Sequence, residues 1–136
     1  MVSFTFTPDR QQLLYGTQVV GLITVGAFAG ANLRHFFAGL IPGLGGTLVA
    51  NVLGCFALGF LVYESEYANV LSDEFSVLAG TGFLSSFTTY STFALETTLT
   101  TPVFGVLNVI ANYCLGLIAV LLGRSLAARI GGEIDG

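Results

Sequence analysis

Six of the eight residues from Ser85 to Thr92 are Ser or Thr, and they lie within GTGFLSSFTTYSTFALE, residues 80–96, which is otherwise apolar enough for a membrane interior. A lipid-facing helix has no use for so many donors. At helical spacing Thr81, Ser85, Thr88 or Thr89, and Thr92 follow one stripe, while Phe83, Phe87, Tyr90 and Phe93 follow a neighbouring one. Aromatic rings carry a positive edge. Ring edges beside hydroxyls therefore replace the water shell of a small anion without the tight trapping of a full charge. Asn51 and Asn112 add amide donors in two other apolar stretches, and Arg34 is placed to draw anions to a mouth. A cation path lined by carboxylates needs more than the lone Glu96. The bland alternative is that the hydroxyls cap their own backbone and the aromatics only pack against neighbours. Two glycines, Gly80 and Gly82, invite a break in this helix. Non-helical backbone at membrane depth survives only where protein or a water-filled cavity satisfies it, which makes the segment an expected ion path.

The elements that must position these groups follow from composition. The 136 residues are 54% hydrophobic and 9% charged, with mean hydropathy +0.84, whereas soluble domains carry about 25% charged residues. Tyr15 to Leu33, Gly46 to Tyr63 and Val103 to Gly123 contain no charge. Each approaches the roughly 20 apolar residues that cross a hydrocarbon core of about 30 Å. With the hydroxyl-rich stretch they predict a single all-α membrane domain over residues 1–136, with four spans near 15–36, 46–63, 75–98 and 103–127, the third broken near its middle. The N-terminus lacks the basic leader of a signal peptide, so the first helix is expected to stay in the mature protein.

Net charge is −4, from Asp9, Glu96, a second connection holding Glu64, Glu66, Asp73 and Glu74, and a tail holding Glu133 and Asp135. With no basic patch, nucleic acid and anionic headgroups are poor partners; the acidity suits a high-salt cytoplasm. Cys55 and Cys114 have no second ligand at metal spacing and are read as small apolar filler, and His35 as interfacial. Arg10, Arg124 and Arg129 fall on the side of the termini against Arg34 on the other, a thin bias that permits insertion in both orientations. Gly26-x-x-x-Gly30 in the first span, and Gly46, Gly54 and Gly59 in the second, mark close helix approaches. Gly105, Asn108, Asn112 and Gly116 share one face of the fourth span, which is expected to meet protein or water. Four short helices enclose little volume, so a pore is more easily built by a dimer.

The segments GAFAGANLRHF (26–36), GTLVANVLGCFALG (46–59) and GTGFLSSFTTYSTFALE (80–96), followed by a fourth span ending LLG (121–123), resemble the Fluc (CrcB) fluoride channel family. The resemblance covers all four spans in order. It implies a fluoride-selective channel in the cell membrane, formed by an antiparallel dual-topology dimer with two fluoride pathways along the interface. Cytoplasmic F⁻ leaks out through it passively, so the chain is a conduit and no enzyme. Carried over by position, the pore aromatics are Tyr90 and Phe93, with Ser91 and Thr92 between and beside them. The pore asparagine is Asn51, the polar stripe of the fourth span is Asn108 and Asn112, and the vestibule arginine is Arg34. The resemblance also implies a structural Na⁺ at the dimer centre, held by the backbone carbonyls of Ser85 and Thr88. The chain departs from the family in having Tyr90 where Phe is usual and Ser85 and Ser86 where glycine is usual. Some members pair unequal subunits, so the second copy is either this chain or a related one. A small dual-topology multidrug exporter is the rival of another class, but that chemistry needs a membrane-embedded carboxylate, and the first span has no acid. An assembly subunit whose hydroxyls only bind helices together would be inert in liposomes.

Overall fold

The computed structural model describes residues 9–65 and 71–134; Glu66 and Asp135 lie outside them. All elements among the described residues are helical. Helix α1 (Arg10–Leu40) starts at Asp9, whose carboxylate accepts from the Arg10 N–H at 2.6 Å. It ends in a turn that Gly43 closes at φ 74, a left-handed conformation that costs glycine nothing. Helix α2 (Leu44–Tyr63) follows. Glu64 Oε1 accepts from the Leu71 N–H at 2.6 Å, tying the end of α2 to the start of the next segment.

That segment comes in pieces. Ser72 caps the short α3 (Asp73–Ser76) by accepting from the Phe75 N–H at 3.3 Å. A wider π-helical stretch, Val77–Leu84, follows, then one turn, α4 (Ser85–Phe87). The chain is extended at Thr88 and Thr89 before α5 (Tyr90–Leu99) begins. Helix α6 (Pro102–Ile134) opens on a proline, whose missing N–H costs nothing in a first turn. Three of the helices, over Arg10–Leu40, Leu44–Tyr63 and Pro102–Ile130, are long and apolar enough to cross a membrane. α1 and α6 overrun the predicted spans because polar ends such as Arg10, Gln11 and Arg129 carry them past the apolar stretch.

Small residues set the packing. A side chain at Gly26 would strike the carbonyl of Leu78, and one at Gly30 the carbonyl of Phe83, so α1 lies backbone to backbone on the π-helical stretch. Between α2 and α6 the arrangement is reciprocal: Gly59 faces the backbone of Val120, and Gly123 faces that of Phe56. Helix α5 sits across α2 and α6. The resulting core is thin, with Ala50, Ala127 and Phe87 among its most buried apolar residues and no large side chain fully enclosed among those described. Large apolar residues such as Val25, Phe28, Leu53, Val106 and Leu117 stand outward, as a chain facing lipid or a partner requires.

The break in the third segment is present but displaced from the glycines expected to cause it. Gly80 and Gly82 lie inside the π-helical stretch, where Gly82 is needed for contact with Ile23 and Gly26 on α1. The chain opens at Thr88 and Thr89, two β-branched residues whose stiff side chains favour extended backbone.

Candidate functional site

Thr88 has φ −77, ψ 157 and Thr89 has φ −150, ψ 124, so their peptide groups leave the helical ladder and must bond elsewhere. Asn51, one turn before Gly54 on α2, supplies the partner. Its Oδ1 accepts from the Thr89 N–H at 2.9 Å and its Nδ2 donates to the Thr89 carbonyl at 3.2 Å. The side-chain amide thus completes both backbone groups of one residue. Gly54 makes the approach possible, because any Cβ there would collide with the Thr88 methyl. That methyl cannot swing away, since the Thr88 hydroxyl is held on the Leu84 carbonyl at 2.9 Å.

The break leaves carbonyls without their helical donors, those of Ser85 and Thr88 among them. The helical donor for Ser85 O would be the Thr89 N–H, which Asn51 takes. The donor for Thr88 O would be the Thr92 N–H, which bonds instead to Thr89 Oγ1 at 3.2 Å as the cap of α5. Both oxygens therefore lose their usual amide partners at the break, and carbonyl oxygen is the ligand type that hard cations take.

From Asn51 a hydrogen-bonded ladder runs along α6. Asn51 Nδ2 donates to Asn112 Oδ1 at 3.2 Å, and Asn112 Nδ2 donates to the Asn108 carbonyl and Oδ1, each at 3.0 Å. Asn108 Nδ2 then donates to Thr97 Oγ1 at 2.8 Å. Beside the upper part of this ladder lies an open, mostly apolar cleft of about 620 Å³, whose lining includes Asn51, Thr88, Thr89, Tyr90, Phe93 and Asn112. Gly54, Cys55, Gly116 and Val120 contribute to its apolar wall. Phe93 is 7% exposed. Its ring stands 5.8 Å from that of Tyr90 and meets Tyr113 edge to face at 6.4 Å. Thr89 and Tyr90, at the start of α5, line this cleft, and a helix N-terminus carries a positive partial charge that favours anions.

The structure thus brings together Asn51, Tyr90, Phe93 and Asn112, with Ser85 and Thr88 at the edge of the same cleft. It does not bring Ser91, Thr92, Asn108 or Arg34 to the cleft wall. Ser91 is exposed, 3.4 Å from Thr89 Oγ1. Thr92 is occupied with capping, and Asn108 is buried at the ladder's lower end. Arg34 is half-buried on α1. The continuous hydroxyl stripe is interrupted as well. Ser85 donates to the Thr81 carbonyl, Thr88 to Leu84 and Thr97 to Phe93, each to the backbone four residues earlier, so these hydroxyls serve their own chain as the bland alternative has it. Sequence reasoning missed Tyr113, Thr97 and the part Gly54 plays in admitting Thr88. The one available signal was Tyr113 following Asn112. Glu96, one turn beyond Phe93, has a buried Oε2 without a hydrogen-bond partner among the described residues.

The model of the family described as CrcB-like protein, Camphor Resistance (CrcB), matches residues 21–124, a range that takes in every residue of the cleft and ladder. This chain belongs to the CrcB family. Among its curated relatives is fluoride-specific ion channel FluC 1 of Haloarcula marismortui, 50% identical over 119 residues, covering 88% of this chain and 93% of the relative. A FluC 1 of Natronomonas pharaonis is 48% identical, covering 80% of this chain and 93% of the relative. A FluC 2 of Halobacterium salinarum is 47% identical over 82% of this chain and 88% of its own length. Membership in the CrcB family sets aside both the multidrug exporter and the inert assembly subunit.

Proposed function

We propose that this CrcB chain is a fluoride-selective channel through which F⁻ leaves the cytoplasm passively, sparing the enzymes that fluoride inhibits. The observation that carries the reading is the 50% identity, over nearly its full length, to a relative named as a fluoride-specific ion channel. The cleft is consistent with that chemistry. An anion entering it meets the rings of Tyr90 and Phe93 and the start of α5, with no full positive charge to trap it; Asn51 and Asn112 would turn an N–H to it by releasing one of their present acceptors. Expression in cells lacking fluoride export of their own is the direct biological test. Restored growth in fluoride is expected, and growth no better than that of the empty vector would count against the reading.

The segment Asp73–Leu99 serves as a fourth crossing in this account. Laid end to end, its helical pieces extend roughly 38 Å at about 1.5 Å per residue, enough for a hydrocarbon core of about 30 Å. Two copies inserted antiparallel into the plasma membrane would cover the thin core and the open side of the cleft, with lipid against the remaining outward apolar faces. Cysteines introduced near Arg10 and Arg129 and labelled from each side of intact cells should be reached from both sides in comparable amounts. One orientation above nine tenths would instead favour pairing with an unequal subunit.

At the centre of such a dimer, Ser85 and Thr88 of both copies would present the carbonyls that the break deprives of amide donors. A Na⁺ there would supply positive charge that neutralises those oxygens and ties the two breaks together. Replacing Na⁺ by a large organic cation during purification is expected to weaken the dimer and its transport together. Indifference of both to Na⁺ would show that Ser85 and Ser86, in place of the family's usual glycine, have dispensed with the ion.

A further inference from the structure

The ladder along α6 has a fixed direction, and a residue outside the cleft sets one end of it. Asn51 Oδ1 must be the acceptor toward Thr89, because the Thr89 N–H at 2.9 Å can only donate. Its Nδ2 then points to Asn112 Oδ1. Asn112 in turn must direct its NH₂ group to the Asn108 carbonyl, which can only accept, and to Asn108 Oδ1. Asn108 is left with Nδ2 toward Thr97 Oγ1 at 2.8 Å. Thr97 has one proton and gives it to the Phe93 carbonyl at 2.6 Å, so it can accept from Asn108 but not donate to it. Backbone groups therefore anchor both ends of the ladder, the Thr89 N–H above and the Phe93 carbonyl below.

We infer that Thr97 is a positioning residue for anion passage. It acts through Asn108, fixing the amide whose Oδ1 is the second anchor of Asn112, and this rests on the reading of the cleft as a fluoride path. Without the Thr97 hydroxyl, Asn108 loses its lower acceptor and its buried amide is free to turn over. As Asn108 turns, its Oδ1 leaves Asn112 Nδ2. Asn112 keeps its polarity through the Asn108 carbonyl but is held by one anchor below instead of two, and Asn51, bonded to Asn112 Oδ1 beside the cleft, is held less firmly. The neighbouring Thr98 offers an internal comparison, because its hydroxyl only bonds back to the Leu95 carbonyl at 2.8 Å within α5.

Thr97→Val keeps shape and removes the hydroxyl, and is expected to slow fluoride efflux from liposomes about tenfold, the worth of one buried hydrogen bond. Thr97→Ser should restore the parental rate, and Thr98→Val should retain it. Thr97→Ala carries the same comparison should Thr97→Val not fold. The side-chain amide resonances of Asn51 and Asn112, recorded by nuclear magnetic resonance in nanodiscs, should move in Thr97→Val and return in Thr97→Ser. Parental efflux in Thr97→Val, failure of Ser to rescue, or unmoved amide resonances would each overturn the assignment. A parental chain that moved no fluoride would instead sink the channel reading, and the amide resonances would still decide whether Thr97 sets the ladder.

Discussion

Asn51→Asp is expected to cut fluoride efflux by about a hundredfold or more while the helices still form. The substitution preserves shape and leaves one oxygen to accept from the Thr89 N–H. The other oxygen then faces the Thr89 carbonyl and Asn112 Oδ1, both of which Asn51 Nδ2 now serves. Two part-buried acceptors lose their donor, at about 1–3 kcal/mol each, and a negative charge enters a site whose use is to attract one. Both effects act in the same direction on an anion, which is why this change should exceed any loss of a single hydroxyl. Efflux from liposomes together with elution of the purified protein on a sizing column checks it. Parental efflux with parental elution would mean that the Asn51 clamp on Thr89 is not on the path.

Phe93→Ile should slow efflux by about tenfold, on the scale of one aromatic interaction beyond simple burial. Phe93 is 7% exposed, tilted against Tyr90 and edge to face with Tyr113. Isoleucine fills the same apolar position but has no positive edge to offer an anion. Phe28→Ile on α1, where the ring is 74% exposed and outside the cleft, should leave the rate unchanged. Equal rates in Phe93→Ile and the parental chain would place the path elsewhere in the molecule.

The chemistry of this chain was more legible in its sequence than the geometry that organises it. Charge-free stretches announced the long helices, and the density of hydroxyls between Ser85 and Thr92 announced that the third segment could not be an ordinary span. A break near the middle of residues 75–98 was legible, but not what makes it. Gly80 and Gly82 carry the usual signal for one, yet the packing of Gly82 on Ile23 and Gly26 keeps that stretch helical. The β-branched pair Thr88–Thr89 favours extended backbone there, and the amide that satisfies the opened Thr89 lies 38 residues away, a bond no local pattern encodes. Asn51 and Asn112 could be picked out as isolated donors inside apolar stretches, but their joining through Asn108 to Thr97 depends on how α5 settles on α6. Thr97 is one threonine in a run of several, and composition gave no reason to prefer it. Ser91 was placed by resemblance, Arg34 and Thr92 by residue type and spacing as well, and none of the three lines the cleft, because position along the chain does not carry the direction in which a side chain points.

A cleft that passes fluoride and discriminates against larger anions should reveal itself in liposomes carrying the purified chain, loaded with KF or KCl and opened with a K⁺ ionophore, with halide release followed by electrode. Rapid release of F⁻ is expected, with little release of Cl⁻ and neither from protein-free liposomes. Retention of both anions, or release of Cl⁻ as fast as F⁻, would rule out a fluoride-selective path.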